Sequence, residues 1–80
     1  MLTEYLNQYT LHVEGKHLDS VVDLNKGKAV IYHAKYFELV ATVQFDDTSI
    51  TVNPTYNAVV LIKDNVVTIK KYSSRVRDEL

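Results

Sequence analysis

The chain has no cysteine, no tryptophan, one proline and two glycines in 80 residues. Without cysteine, neither a disulfide framework nor a thiolate metal cage can form, which suits a reducing cytoplasm, the expected location. Gly15 and Gly27 stand alone, so no glycine-rich loop is available to cradle a phosphate. Nowhere do about 18 apolar residues run together, as a membrane-crossing helix requires. The first ten residues, MLTEYLNQYT, carry neither the basic nor the apolar segment of a secretory signal. The last four, RDEL, resemble a lumenal retention tetrapeptide, but nothing in the sequence delivers the chain to a lumen. In Asn53-Pro54-Thr55 the proline occupies the position that forbids N-glycosylation. Neither sign of charge is in excess: the net charge is −1 with 46% hydrophobic residues, a balance that argues for a folded chain. One small domain over residues 1–80 is expected. A chain of this size buries only about 60–65% of its unfolded surface, so its stability is modest unless a partner covers more.

What is present is β-branched and alternating. The clearest stretch is AVVLIKDNVVTIKKY, residues 58–72, in which two aliphatic runs flank Asp64-Asn65, a pair suited to a tight hairpin. A two-residue turn sets Lys63 opposite Val66, Ile62 opposite Val67, Leu61 opposite Thr68 and Val60 opposite Ile69. One face then holds Val60, Ile62, Val67 and Ile69. The other mixes Val59, Leu61 and Val66 with Lys63, Thr68 and Lys70, as on the wall of a small β core.

Residues 2–9 read as a short helix, with Thr3 as N-cap and Leu2, Leu6 and Tyr9 on one face. From Tyr9 the period becomes two: Tyr9, Leu11 and Val13 alternate with Thr10, His12 and Glu14, and Gly15 turns the chain. Residues 18–24 continue as a strand, with Gly27 in the left-handed position of a hairpin loop. A helix over residues 19–26 capped by Gly27 is the competing reading. The return run Ala29-Val30-Ile31-Tyr32 favours strand. Residues 34–44 fit either a strand, with Phe37, Leu39, Ala41, Val43 and Phe45 on one face, or a helix. The clean alternation of residues 49–52 after Asp46-Asp47 favours a hairpin of residues 37–45 with 49–53. Pro54 lies in a loop, and residues 73–80 form a polar, flexible tail. The expected fold is mainly β: an amino-terminal helix, then an antiparallel meander of six or seven strands closing into a small barrel or two-layer sandwich.

Chemistry is sparse. His12, Glu14 and His17 are near enough in sequence for a metal site, but structural zinc usually takes four ligands, and a polar hairpin face accounts for these three. His33 has no nucleophile in a strained turn beside it, and Asp46-Asp47 is ordinary turn chemistry. Neither a catalytic residue nor a cofactor or metal ligand is assigned. The carboxyl-terminal end is basic, with Lys63, Lys70, Lys71, Arg75 and Arg77 near Tyr56 and Tyr72. Such a set can neutralise phosphates and stack bases. Six tyrosines are too many for so small a core, and exposed tyrosine is enriched at protein interfaces. The leading expectation is a non-enzymatic module that binds another protein, of a size common to phage or plasmid inhibitors and regulators. Self-association through a sheet edge belongs to this reading. The alternative is a small barrel that binds single-stranded nucleic acid through the seven basic and tyrosine residues just named.

Overall fold

Alternation of inward and outward side chains decides the secondary structure along the chain. A computed structural model describes residues 2–55 and 58–71. They form eight strands: β1 (Leu2–Leu6), β2 (Tyr9–Glu14), β3 (Leu18–Asp23), β4 (Lys28–His33), β5 (Glu38–Phe45), β6 (Ile50–Pro54), β7 (Ala58–Lys63) and β8 (Val66–Lys71). Among the described residues there is no helix, and none long and apolar enough to cross a membrane.

The strands make two four-stranded sheets, ordered β1-β2-β8-β7 and β3-β4-β5-β6. Their inner faces share one core: Leu6, Tyr9, Leu11, Val13, Val67 and Ile69 from the first sheet, and Ala29, Ile31, Val40, Ala41, Val43 and Phe45 from the second. Two open sheets facing each other, not a closed barrel, hide the apolar faces. The second sheet is the expected antiparallel meander. The first is not, because β2 and β8 run parallel, with Thr10 beside Val66 and Val13 beside Ile69.

The amino-terminal helix gives way to a hairpin. Leu2 and Leu6 are four residues apart, a spacing in phase with both a strand and a helix. In the structure Leu2 pairs with Val13 and Leu6 with Tyr9. Asn7 turns the chain at φ 59°, a conformation asparagine tolerates better than most residues.

Residues 18–23 are strand, as the β-branched run suggested. Gly27 has φ 66°, and its carbonyl accepts the Phe45 N–H at 2.8 Å. A β-carbon there would run into the Phe45 carbonyl, so both shape and backbone demand glycine. Pro54 ends the edge strand β6 and does not lie in a loop, since an edge position needs no N–H on its outer side.

Residues 37–45 behave differently from a simple alternating strand. Ile31 pairs with Ala41 but Tyr32 pairs with Leu39, so Val40 is an extra residue in the β5 ladder. This bulge reverses the alternation. Ala41, Val43 and Phe45 stay buried with Val40, while Leu39 is exposed; Phe37, expected on the same strand face, lies before β5 in the turn and is exposed there. The bulge carbonyl of Val40 accepts the Thr55 N–H at 2.9 Å.

The β7–β8 hairpin has the expected register throughout, from Lys63 opposite Val66 to Val60 opposite Ile69, with Asp64 at φ 54°. Val67 and Ile69 are fully buried and Val60 packs against the core. Ile62 shares their side yet is 55% exposed, because β7 is the outermost strand and the hairpin tip overhangs the core. Ile69→Ala is therefore expected to cost about 2–5 kcal/mol in chemical denaturation. Ile62→Ala should cost about 1 kcal/mol or less, and equal losses would place the tip inside the core.

Candidate functional site

Two surfaces stand out from the polar remainder. The first is the free side of β7. In β7, residues 58–62 (AVVLI) carry no charge, and Leu61 and Ile62 are each 55% exposed. On the outer face of the first sheet, Leu61 stands beside Thr68 and Lys63 beside Val66. Together with Ile62 and Asp64 they line an open groove of about 660 Å³. Among the described residues β7 bonds only to β8, so alternate N–H and C=O groups of an apolar strand face outward without a ladder partner.

The second surface is the end of the molecule where the β4–β5 turn, the β2–β3 turn and the last residue of β8 meet. Phe37 is 82% exposed and Tyr36 is 68% exposed. Phe37 holds φ 56°, a position that favours glycine and costs a bulky residue roughly 1–2 kcal/mol. Lys35 Nζ lies 5.4 Å from the centre of the Tyr36 ring. Beneath them His33, 8% exposed, stacks on Tyr36 with ring centres 4.9 Å apart, and the His17 ring is 5.6 Å away. The Tyr36 N–H donates to His33 Nδ1 at 3.3 Å, so the neutral ring carries its proton on Nε2. Burial and the adjacent His17 and Lys71 depress the His33 pKa below the ordinary histidine value, and Lys35 adds to this. Glu38 opposes it. Lys71 reaches across from β8 to Glu38 at 3.7 Å, tying the two sheets at this end.

The basic residues singled out from the sequence do not converge within the described chain. Lys63 lies beside the hairpin turn, at the opposite end of β7–β8 from Lys70 and Lys71. Lys70 is on the outer face, 3.7 Å from Glu14, whereas Lys71 is on the inner face with Glu38. Tyr56, Tyr72, Arg75 and Arg77 lie outside the described residues, as does the proposed tail.

The suggested metal ligands separate too. His12 sits beside Thr3 on the outer face, with Thr3 Oγ1 and His12 Nδ1 3.2 Å apart, while His17 turns to His33. Among the described residues no three histidine or acidic side chains gather to hold a metal. Asp46 is occupied as a turn former. Its carboxylate accepts the Thr48 and Ser49 N–H groups at 2.8 Å each, and these bonds hold its pKa below the usual carboxylate range.

The tyrosines divide. Tyr9 is core, Tyr32 reaches toward Asp19 at the rim, and Tyr5 and Tyr36 are exposed. Both surfaces carry a signal in the sequence: the uncharged run before Lys63, and the Lys-Tyr-Phe triplet of residues 35–37. A scan with protein-family models, a search of curated proteins and a search of solved structures each find no match to this chain.

A pH dependence follows from His33. Its folded pKa lies below its unfolded value of about 6.5, so the unfolded chain takes up the proton first as pH falls. Stability should be level above pH 7 and decline from about 6.5 downward, measured by urea denaturation at a series of pH values. A rise in stability over the same interval would mean that His33 gains, not loses, by protonation.

Proposed function

We propose that the protein is a non-enzymatic binding module that takes an extended segment of polypeptide against β7, acting as an inhibitor or regulatory element. The observation that supports this most is the open edge itself, a strand whose first five residues carry no charge and whose one lysine, Lys63, sits at the turn, with Leu61 and Ile62 exposed beside an apolar groove. Adding a strand to such an edge combines main-chain hydrogen bonds with side-chain pockets on alternate residues. The other three edges suit a partner less well. β1 turns Glu4 inward, where it accepts the Ser20 hydroxyl, β3 carries Asp19 and Asp23 outward, and β6 ends in Pro54. Charges and proline on an edge discourage a further strand.

A second reading, single-stranded nucleic acid at the other end, draws support from Tyr36 and Phe37. Both rings are exposed, Lys35 lies over Tyr36, and the neighbouring Glu38 is paired with Lys71 of the basic carboxyl-terminal run. Bases stack on such rings while cations meet the phosphates.

Peptide selection from a random library on the immobilised full chain separates the two. The edge reading expects extended, β-branched peptides that shift the Val60 and Ile62 amide resonances and bind with little dependence on salt. No such peptides, together with oligothymidine shifting only residues 34–38 and weakening steeply with salt, would overturn it in favour of the second.

A further inference from the structure

We infer that the segment fitting the β7 edge is a second copy of β7, paired antiparallel about a two-fold axis through Leu61. This rests on the edge reading above and names its partner.

The hydrogen-bonding groups choose the register. The two-residue turn makes Lys63–Val66 a hydrogen-bonded pair, and such pairs alternate along an antiparallel ladder. Leu61 and Val59 therefore bond to β8, whereas Ala58, Val60 and Ile62 direct their N–H and C=O groups to the free side. The Ala58 N–H confirms the direction, since it donates to the Thr55 carbonyl at 3.0 Å. Among the described residues, that leaves Val60 and Ile62 with both groups available. A copy centred on Leu61 sets Val60 opposite Ile62 of its partner and Ile62 opposite the partner's Val60, so each exchanges both bonds.

Side chains agree with this register. Val60 and Ile62 share the inner side, so the half-exposed Ile62 of each copy gains the other's Val60 as a neighbour. On the outer side Leu61 meets Leu61 at the axis, a non-hydrogen-bonded pair in which side chains approach most closely. Each Lys63 lies opposite a Val59, at opposite ends of the junction, so the two lysines never face each other. The charge-free run of residues 58–62 is thus complementary to itself, as a two-fold interface requires. The first sheets of the two copies become one continuous sheet. Two short edges cover less than the roughly 1,200–2,000 Å² typical of stable interfaces, so monomer and dimer should exchange with concentration.

Sedimentation velocity of the full chain from micromolar to millimolar concentration should show mass rising from one chain toward two. Because the chain has no cysteine of its own, Leu61→Cys gives a direct reading of the axis. In the proposed pairing its Cα atoms lie about 4.5 Å apart, within disulfide reach. Mild oxidation should accumulate a covalent dimer of Leu61→Cys but not of Val59→Cys, which faces Lys63. A monomer at every concentration overturns the pairing, whether the edge is left open or covered by the chain's own later residues. Cross-linking of Val59→Cys as readily as Leu61→Cys, or preferential cross-linking of a mixture of the two, overturns the register. A monomer that still takes selected peptides on β7 sinks only the self-pairing. A monomer that takes none sinks the edge reading as well.

Discussion

The parallel contact between β2 and β8 is the constraint on which the remainder depends. It joins two hairpins from opposite ends of the described chain, with the Thr10 N–H donating to the Asn65 carbonyl at 2.8 Å where the ladder starts. Leu11, Val13, Val67 and Ile69 come together there and are essentially sealed from water. A hairpin alone is marginal in water, so neither β1–β2 nor β7–β8 would hold its shape without the other. Closing the long loop between them costs chain entropy before the apolar contacts repay it.

The same contact determines which strand is left outside. Because β8 is bonded to β2 on one flank and β7 on the other, β7 becomes the border of the first sheet. Its aliphatic residues then face two ways: Val60 inward onto the core, Leu61 outward, and Ile62 at the overhanging tip. Elsewhere the borders hold a carboxylate, a pair of aspartates or a proline. The contrast among the four borders, more than any single residue, turns attention to β7. At the far end the Lys71–Glu38 pair ties the two layers, beside the stacked His33 and Tyr36 of the second sheet. That ion pair is partly solvated, so it adds little stability beside the valines and isoleucines between the sheets.

The β3–β4, β5–β6 and β7–β8 hairpins are legible in the residues; the β1–β2 hairpin, distant pairing and single-residue irregularities are not. The β7–β8 register followed from strict alternation on both sides of a two-residue turn. Gly27 marked its turn because few other residues accept a left-handed backbone. Leu2 and Leu6 misled because a spacing of four fits two periods at once. Extending the alternation of Ala41, Val43 and Phe45 back past Val40 puts Leu39 and Phe37 on the same apolar face, but one added residue inverts it at Leu39, and Phe37 belongs to the turn. The partnership of β2 with β8 left no trace in any window of sequence, and with it went the position of β7. The basic and aromatic residues near the carboxyl end were visible as a cluster in sequence, yet adjacent lysines on a strand leave on opposite faces, as Lys70 and Lys71 do.

Residue-resolved amide exchange at low concentration, where self-pairing is negligible, tests the central arrangement most directly. If β8 is an interior strand and β7 a border, amides throughout β8 should be protected, including those that point toward β2, while those of Val60 and Ile62 exchange nearly as fast as an open chain. Protection of alternate residues only in β8, with Val60 and Ile62 as slow as Ile69, would contradict the strand order and the open edge derived from it.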